Sequence, residues 1–247
     1  MLIYFSGTGN CLCAANTLAL PDQPVVSLMQ PGGVAISPAA ERVGFVFPVY
    51  WYGLPSVCAQ AISRLDLPRE AYIFACFTYN SGVGAAAKEL SGLLKAHGRS
   101  LDAAFSVRMP DNYVPALPVQ SPKKQEKILR DAAVRLAQIR PLLLQRRRFT
   151  SLKKRFPVFI SNMLHNYYLS HRGTDGFYVT ACVSCGKCAD ICPCGAIRLE
   201  EGRPVWSGSC TRCTACINRC PVQGIQLGRF CPHNGRYVCP VTVLTDG

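Results

Sequence analysis

Five short apolar runs are spaced along roughly the first 110 residues of the chain. They read LIYF at 2–5, PVVSL at 24–28, RVGFVFPV at 42–49, YIFACFTY at 72–79 and DAAFSV at 102–107. Most are apolar throughout and do not alternate with polar residues, which is typical of strands buried on both faces of a sheet. Segments of helical length separate them. The pattern predicts an α/β fold with a doubly wound, five-stranded parallel sheet.

A longer amphipathic segment follows the fifth run. Ser121 and Pro122 suit an N-cap and a first helical turn. The apolar residues that then recur on one helical face are Ile128, Ala132, Leu136 and Ile139. The pattern predicts a fifth helix, which we expect Pro141 to interrupt.

The composition of the chain changes after this helix. Residues 142–172 are basic and aromatic and carry no clear strand signal, and residues after 173 are rich in cysteine with short elements. A small domain of that kind is usually held by its metal. We therefore predict an α/β domain over 1–148, a basic and aromatic connector over 149–175, and a small α+β domain with a C-terminal extension over 176–247.

Two segments share one template of four cysteines and a proline. CVSCGKCADICP begins at Cys182 and CTRCTACINRCP at Cys210; both read C-x2-C-x2-C-x3-C-P, and matching cysteines are 28 positions apart. Zinc sites use C-x2-C pairs and leave the third cysteine and the proline unexplained, and disulfides are rare in reducing compartments. The template favours [4Fe-4S] clusters, with zinc as the alternative.

Residues 177–228 resemble a bacterial-type 2[4Fe-4S] ferredoxin module. In two-cluster ferredoxins the fourth cysteine of each run ligates the other cluster. The resemblance implies one cluster held by Cys182, Cys185, Cys188 and Cys220 and another held by Cys192, Cys210, Cys213 and Cys216. Cys188 and Cys192 would ligate different clusters but are only four residues apart. Because four residues span at most about 14 Å, the two clusters must lie close together.

Seven further cysteines lie outside the repeat, and five of them show no complete ligand set. We interpret them as buried small side chains. They are Cys58, Cys76, Cys194, Cys231 and Cys239.

The loop after the first apolar run, YFSGTGN, combines small and hydroxylated residues just before a helix-like stretch. Free backbone N–H groups at such a junction favour an anion. The loop resembles the phosphate loop of flavodoxins, which bind FMN. The resemblance implies side-chain donors at Ser6, Thr8 and Asn10, close approach at Gly7 and Gly9, and a further contact at Cys11, where flavodoxins usually carry a hydroxyl. An ordinary strand-to-helix turn is the alternative.

In the flavodoxin fold the flavin ring lies at the carboxyl ends of the third and fourth strands. Those ends read FPVYWYGLP and CFTYNSGVG, and three consecutive aromatics suit stacking on the ring. The predicted ring contacts are Pro48, Tyr50, Trp51, Tyr52, Gly53, Thr78, Tyr79, Asn80 and Gly82. The alternatives are aromatics that cover an exposed edge, and an NAD site in which Gly82, Gly84 and Ala87 match G-x-G-x-x-A and Asp102 binds the ribose.

As a whole the chain resembles the EFR-type flavodoxin-ferredoxin fusion proteins of anaerobic bacteria, including MPDNY at 109–113 and NGRY at 234–237. The resemblance implies electron transfer between two [4Fe-4S] clusters, FMN and a redox partner protein. The alternative is a reductase that passes electrons from FMN to a small-molecule acceptor, with Tyr113 or a residue of 48–53 as proton donor. No catalytic residue is assigned.

The formal net charge of +13 is concentrated in residues 121–172, which hold thirteen Lys and Arg against two Asp and Glu. A solvated helix face with interdomain packing explains this block, and docking of an acidic redox partner is the next interpretation. Nucleic-acid or membrane-surface binding is the weakest, so no nucleic acid is expected.

The uncharged run at 43–62 is long enough to span a bilayer but contains Pro48, Gly53 and Pro55. We interpret it as a strand, a turn and the start of a helix, so no transmembrane segment is expected. A strand that starts at Leu2 leaves no room for a signal peptide, and we predict a cytoplasmic protein.

Overall fold

The computed structural model describes residues 1–240, and its main element is a six-stranded parallel sheet with strand order β2-β1-β3-β4-β5-β6. The strands are β1 (Leu2–Tyr4), β2 (Val25–Ser27), β3 (Arg42–Pro48), β4 (Tyr72–Tyr79), β5 (Ala103–Arg108) and β6 (Phe149–Ser151). The first five strands have the flavodoxin-like order 2-1-3-4-5. The predicted fold class is confirmed.

The sixth strand corrects the prediction of a five-stranded sheet and lies inside the predicted connector. β6 pairs in parallel with Ala103–Phe105 at the sheet edge. It has three residues, of which Phe149 and Thr150 are exposed. A short edge strand with one face in water has no continuous apolar run, and for that reason its sequence carries no strand signal.

Five helices accompany the sheet: α1 (Asn10–Leu18), α2 (Ser56–Ile62), α3 (Ala86–Ala96), α4 (Pro122–Leu144) and α5 (Val158–His171). α1 and α4 pack on one face of the sheet, and α2 and α3 on the other. Residues 28–41, between β2 and β3, form turns around Pro31, Gly32 and Gly33. The predicted fifth helix is therefore the fourth along the chain.

Helix α4 continues through Pro141, so the predicted interruption is wrong. Pro141 lies in the last turn, where the helix has few remaining hydrogen bonds to lose. Beyond it Leu143 is fully buried on the same apolar face as Leu136 and Ile139. Burial of that leucine favours one more turn of helix.

Phenylalanines from three strands form the centre of the core. Phe45, Phe47 and Phe77 face α2 and α3, whereas Phe74 and Phe105 face α1 and α4. Because neighbouring residues of a strand point to opposite faces, one apolar strand supplies both layers. Cys58 and Cys76 are fully buried in these layers, as predicted.

The C-terminal region is small and built from short elements. β7 (Phe177–Val179) pairs with β10 (Ile225–Leu227), and β8 (Ile197–Glu200) pairs with β9 (Arg203–Trp206), both antiparallel. Two one-turn helices, α6 (Lys187–Asp190) and α7 (Ala215–Asn218), follow the cysteine loops, and a 3-10 turn spans Cys231–His233. Cys231 and Cys239 are buried as predicted, and Cys194 is half-buried.

Residues 43–62, which are uncharged, form most of β3, a loop and the whole of α2, in agreement with the sequence interpretation. Within residues 1–240, no helix combines the length and apolarity needed to cross a membrane.

Candidate functional site

The main cavity of the molecule lies at the carboxyl ends of the parallel strands and measures about 500 Å³. Its walls come from the loops after β1, β3, β4 and β5, and most of the residues predicted to contact FMN line it. These are Ser6, Gly7, Thr8, Asn10, Cys11, Pro48, Tyr50, Trp51, Tyr52, Thr78, Tyr79, Asn80 and Gly82. The volume is within the range of small-molecule and cofactor sites.

Two predicted contact residues, Gly9 and Gly53, are outside the cavity lining and have backbone roles. Gly9 has φ +102° at the start of α1, a conformation that favours glycine. Gly53 lies against the ring of His165, where any side chain would overlap it.

The loop after β1 (residues 6–10, here called the phosphate loop) is shaped by its own side chains. Ser6 Oγ accepts hydrogen bonds from the backbone N–H groups of Gly9 and Cys11, at 3.0 and 3.2 Å. Thr8 Oγ1 accepts one from Asn112 Nδ2 at 2.8 Å. In these bonds the Ser6 and Thr8 hydroxyls are acceptors, so each keeps a proton that it can donate to an anion in the cavity.

Asn10 and the C-terminal segment close this loop from outside. Asn10 Nδ2 donates to the Pro110 carbonyl at 2.9 Å, and its Oδ1 accepts from the Tyr237 hydroxyl at 2.8 Å. The Cys239 N–H donates to the Thr8 carbonyl at 2.8 Å. Asn10 therefore supports the loop in addition to lining the cavity.

Cys11 replaces the hydroxyl that is usual in flavodoxins. Its Sγ lies 3.0 Å from Thr78 Oγ1, so the thiol contacts the end of β4. Burial raises the pKa of this thiol, and the hydrogen bond to Thr78 opposes the shift only in part. Cys11 is thus a neutral side chain at neutral pH.

The aromatic loop (Tyr50, Trp51 and Tyr52) is a loop, as predicted, and its backbone is held in an unusual conformation. Trp51 and Tyr52 have φ of +50° and +66°. The Ala85 N–H donates to the Tyr52 carbonyl at 2.6 Å, and the Tyr52 hydroxyl is 3.0 Å from Ser81 Oγ. Left-handed backbone at two bulky residues costs free energy, and such strain is often found at functional sites.

Sequence reasoning missed several lining residues. Met109–Asn112 follow β5, where the rule that ligands bind at the carboxyl ends of strands would have included them, whereas Tyr113 was predicted as a possible proton donor. Arg155, Tyr168, Arg212 and Cys213 come from distant parts of the sequence and join the cavity through tertiary packing. No local pattern identifies those four.

The cavity carries uncompensated positive charge. Arg155 and Arg212 line it, and among the described lining residues Asp111 is the one acid. Its carboxylate accepts hydrogen bonds from Asn80 Nδ2 at 2.7 Å and from the Tyr113 N–H at 2.9 Å. Within the described part of the chain, Arg212 Nε and the Tyr50 hydroxyl are buried without a hydrogen-bond partner. Two arginines against one acid in the lining suit an anionic ligand.

Asp102, the ribose acid of the NAD alternative, lies away from the cavity. It precedes β5, at the opposite edge of the sheet, where its Oδ2 accepts from the Ile73 N–H at 2.8 Å. Gly82 lines the cavity, but Gly84 and Ala87, the other residues of the G-x-G-x-x-A motif, are not among the lining residues.

The eight cysteines of the repeat surround two smaller cavities. Cys182, Cys185, Cys188 and Cys220 line one (here the first-repeat cavity). Cys192, Cys210, Cys213 and Cys216 line the other (the second-repeat cavity). The fourth cysteine of each run lies with the three leading cysteines of the other run. This is the grouping expected for crossed ligation, and cluster binding itself stays a prediction.

The sequence repeat is also a repeat of backbone conformation. Left-handed residues recur 28 positions apart, as Ser184 and Arg212, Gly186 and Thr214, and Gly195 and Gln223. Backbone N–H groups donate to cysteine sulfurs in matching pairs: Ser184 to Cys182 at 3.3 Å and Arg212 to Cys210 at 3.2 Å, then Ala196 to Cys192 at 3.3 Å and Gly224 to Cys220 at 3.4 Å. Such N–H···S bonds stabilise metal-bound thiolates, so both loops fit a cluster.

In the part of the chain that the structure describes, no three His, Cys, Asp or Glu residues are arranged as ligands of one metal ion. Thiolates bound to a single zinc ion lie about 4 Å apart. A cubane is a larger body that spreads its four thiolates further. This observation is therefore compatible with loops that hold clusters.

The second cysteine run packs against the phosphate loop. Cys213 lines both the main cavity and the second-repeat cavity. A Cβ added at Gly7 would lie 2.6 Å from the Cys213 carbonyl oxygen, and Arg219 Nε donates to the Gly7 carbonyl at 3.1 Å. Thr214 Oγ1 donates to the Asn112 carbonyl at 3.0 Å. The two cavities therefore share a wall made by Cys213.

Helix α5, from the basic connector, packs between the aromatic loop and the second cysteine run. His165 Nδ1 is 3.0 Å from the Tyr50 carbonyl oxygen. The Tyr168 hydroxyl donates to the Thr211 carbonyl at 3.0 Å. These contacts agree with the interpretation of the connector as interdomain packing.

No protein-family model matches the sequence. No curated protein matches it significantly.

Proposed function

We propose that the protein is an iron-sulfur flavoprotein that exchanges electrons between two [4Fe-4S] clusters, FMN and a redox partner protein. The observation that carries the proposal is the common wall at Cys213, which belongs at once to the cavity over the phosphate loop and to the second-repeat cavity, lined by four cysteines of the repeat and by Cys194. Bound in these cavities, a flavin and a cluster are near neighbours.

The residues of the main cavity fit FMN. The Ser6 and Thr8 hydroxyls and the start of α1 suit its phosphate. The aromatic loop lines the cavity and suits stacking on the flavin ring. When bound, FMN takes up two electrons together and gives them up singly, whereas each cluster carries one.

The chain's own groups favour negative charge at both kinds of site. Backbone N–H groups of Ser184, Arg212, Ala196 and Gly224 point at cysteine sulfurs. In the absence of metal, burial raises the pKa of Cys213 and of Cys216, so their ionisation requires a bound cation. The Arg155 and Arg212 guanidiniums balance negative charge in the main cavity.

A second candidate function is reduction of a small anionic molecule at the same cavity. It is favoured by Tyr113, which lines the cavity next to Arg212. Burial raises the pKa of the Tyr113 hydroxyl, and the Arg212 guanidinium opposes part of the shift. The hydroxyl is therefore protonated at neutral pH and can donate a proton to a reduced substrate.

The partner in the leading proposal is a redox protein, with acidic character matching the basic block at 121–172. Nucleic-acid binding is not proposed.

The test is anaerobic purification with iron, sulfide and flavin analysis. We expect about eight iron and eight acid-labile sulfide per chain, and FMN released by acid. Stoichiometric zinc in protein made under iron-replete conditions would contradict the cluster assignment.

To separate the two functions, the reduced protein is mixed with carboxylate-bearing electron acceptors. Rapid, saturable reoxidation that is lost in Tyr113→Phe favours the reductase.

A further inference from the structure

The two cysteine cavities share one backbone design but differ in their exposure to solvent. In the first-repeat cavity Cys185 is exposed, and the apolar residues beside it are open to water as well, with Val183 59% and Val222 39% exposed. In the second-repeat cavity the matching cysteine, Cys213, is 7% exposed and Cys216 is 8% exposed. A cluster in the first site reaches the surface, whereas one in the second is enclosed.

The enclosure of the second site has two sources. On one side, the stacked rings of Phe177 and Trp206, with centroids 5.1 Å apart, line it. Inward, its wall is Cys213, whose carbonyl lies against Gly7 of the phosphate loop. This site therefore adjoins the main cavity and is shielded from large molecules in solution.

We infer that electrons pass through the protein in a fixed order: external carrier, first-repeat cluster, second-repeat cluster, flavin. The inference rests on the proposed function and assigns each repeat a different task. The first-repeat cluster, at Cys185, exchanges electrons with a one-electron carrier protein. The second-repeat cluster, at Cys213, exchanges electrons with the flavin.

The order follows from distance, because electron transfer slows steeply as donor and acceptor move apart. A carrier protein cannot enter the main cavity, and it meets the first-repeat site at the surface. In each passage the carrier loses one electron and each cluster gains and then loses one. Two passages, with two protons from solvent, account for a two-electron reduction at the cavity.

The matched cysteines Cys185 and Cys213 provide the test, because each variant removes one ligand at the same position of its repeat. Cys185→Ala and Cys213→Ala are reconstituted anaerobically and mixed with a reduced bacterial two-cluster ferredoxin. Flavin absorbance is followed by stopped flow and reduced clusters by freeze-quench electron paramagnetic resonance (EPR). Photoreduced deazaflavin, a small donor that needs no protein docking surface, is the control donor.

We expect both variants to slow flavin reduction by ferredoxin at least about 100-fold, and flavin reduction by deazaflavin to change less than about twofold in Cys185→Ala. The variants differ in where the electron stops. Cys213→Ala should accumulate a reduced cluster beside oxidised flavin, whereas Cys185→Ala should not. The reverse pattern, or a wild-type rate in Cys185→Ala, overturns the order.

A non-ligand variant keeps the inference testable if the cysteine variants do not fold. In Gly7→Ala the new Cβ meets the Cys213 carbonyl at 2.6 Å and forces the two loops apart. With flavin saturating, we expect clusters to be reduced at the wild-type rate and the flavin at least about fivefold more slowly. Gly92→Ala, on the open face of α3, is the matched control. Unchanged flavin reduction in Gly7→Ala contradicts the inference.

Failure of this inference is distinguishable from failure of the proposed function. If the wild-type protein contains no clusters or no flavin, the proposed function is wrong. If it contains both and ferredoxin reduces them in another order, only the order is wrong.

Discussion

The sheet region and the cysteine-rich region of this chain are stabilised in different ways. In the sheet region, large aromatic side chains such as Phe45, Phe77 and Phe105 are buried without residual exposure on both faces. In the cysteine-rich region the apolar cluster consists mainly of Val114, Ile197, Ile217, Ile225, Leu227 and cysteines. Those small and aliphatic side chains bury far less apolar area than the phenylalanines do.

The difference shows that the two regions depend on different partners for their stability. Apolar burial alone suffices for the sheet, whose strands each contact neighbours over several residues. The cysteine loops instead place non-glycine residues such as Ser184, Arg212 and Thr214 in left-handed backbone conformations. Ligand bonds to the proposed clusters would offset that cost.

The largest expected effect is that of removing iron. Under chelation with oxidation, amides of β7 and β10 should lose protection from hydrogen exchange, because the free energy of metal binding is folding free energy in a small domain. Amides of β3 and β4 should stay protected. Mass spectrometry of the exchanged protein provides the measurement. Equal loss of amide protection in both regions would contradict the inference that only the cysteine-rich region depends on metal.

The next effect is the loss of one cluster and tests crossed ligation within the cysteine-rich region. Cys192 and Cys210 line the same cavity, so Cys192→Ala should damage the same centre as Cys213→Ala. Cys220→Ala should resemble Cys185→Ala. EPR spectra of the four reduced variants give the comparison. A match of Cys192→Ala with Cys185→Ala would mean that each run closes its own cluster.

A smaller effect is expected from the core of the sheet region. Phe77→Ala removes a fully buried ring and should lower the free energy of unfolding by about 3–5 kcal/mol. Phe230, in the cysteine-rich region, is 51% exposed. Phe230→Ala should therefore change the free energy of unfolding by less than about 0.5 kcal/mol. Urea denaturation followed by circular dichroism measures both, and a cost below about 1 kcal/mol for Phe77→Ala would show that the sheet is not held by this core.

The smallest effect concerns the phosphate loop, which joins the two regions. Replacing Thr8 and Asn10 by alanine should weaken FMN binding about 10- to 100-fold, since hydrogen bonds to charged groups contribute about 1.5–3 kcal/mol. Fluorescence titration of the apoprotein measures the affinity.

Tyr237→Phe separates support of the loop from direct contact with the phosphate. It removes the hydrogen bond to Asn10 Oδ1 and leaves both loop side chains in place. We expect a loss of FMN affinity below about fivefold, in keeping with one neutral hydrogen bond.

For the double variant of Thr8 and Asn10, unchanged FMN affinity would mean that the phosphate binds elsewhere.

The sequence predicted the fold where burial is two-sided. Continuous apolar runs identify β3, β4 and β5, because residues on both faces of those strands are buried. β6 escaped detection because it is a short edge strand. The segment between β2 and β3 has helical length, but its Pro-Gly-Gly at 31–33 places it in turns.

The residues of the candidate site likewise fall into those that the sequence predicted and those that it did not. Loop chemistry near β1, β3 and β4 predicted residues that the structure gathers around one cavity. Arg155, Tyr168 and Arg212 are contributed by elements far along the chain, and only packing of the cysteine-rich region and α5 on the sheet brings them there. Local sequence patterns do not predict contacts between segments that are so far apart in the chain.

The hydrogen bonds from Tyr237 to Asn10 and from Cys239 to Thr8 have a consequence for the order of events during synthesis on the ribosome. The strands of the sheet are translated first and can form while the cysteine-rich region is still being made. Residues 237 and 239 emerge more than 220 residues after the loop that they cover. The phosphate loop therefore acquires these two hydrogen bonds only near the end of translation, after all strands of the sheet have been made.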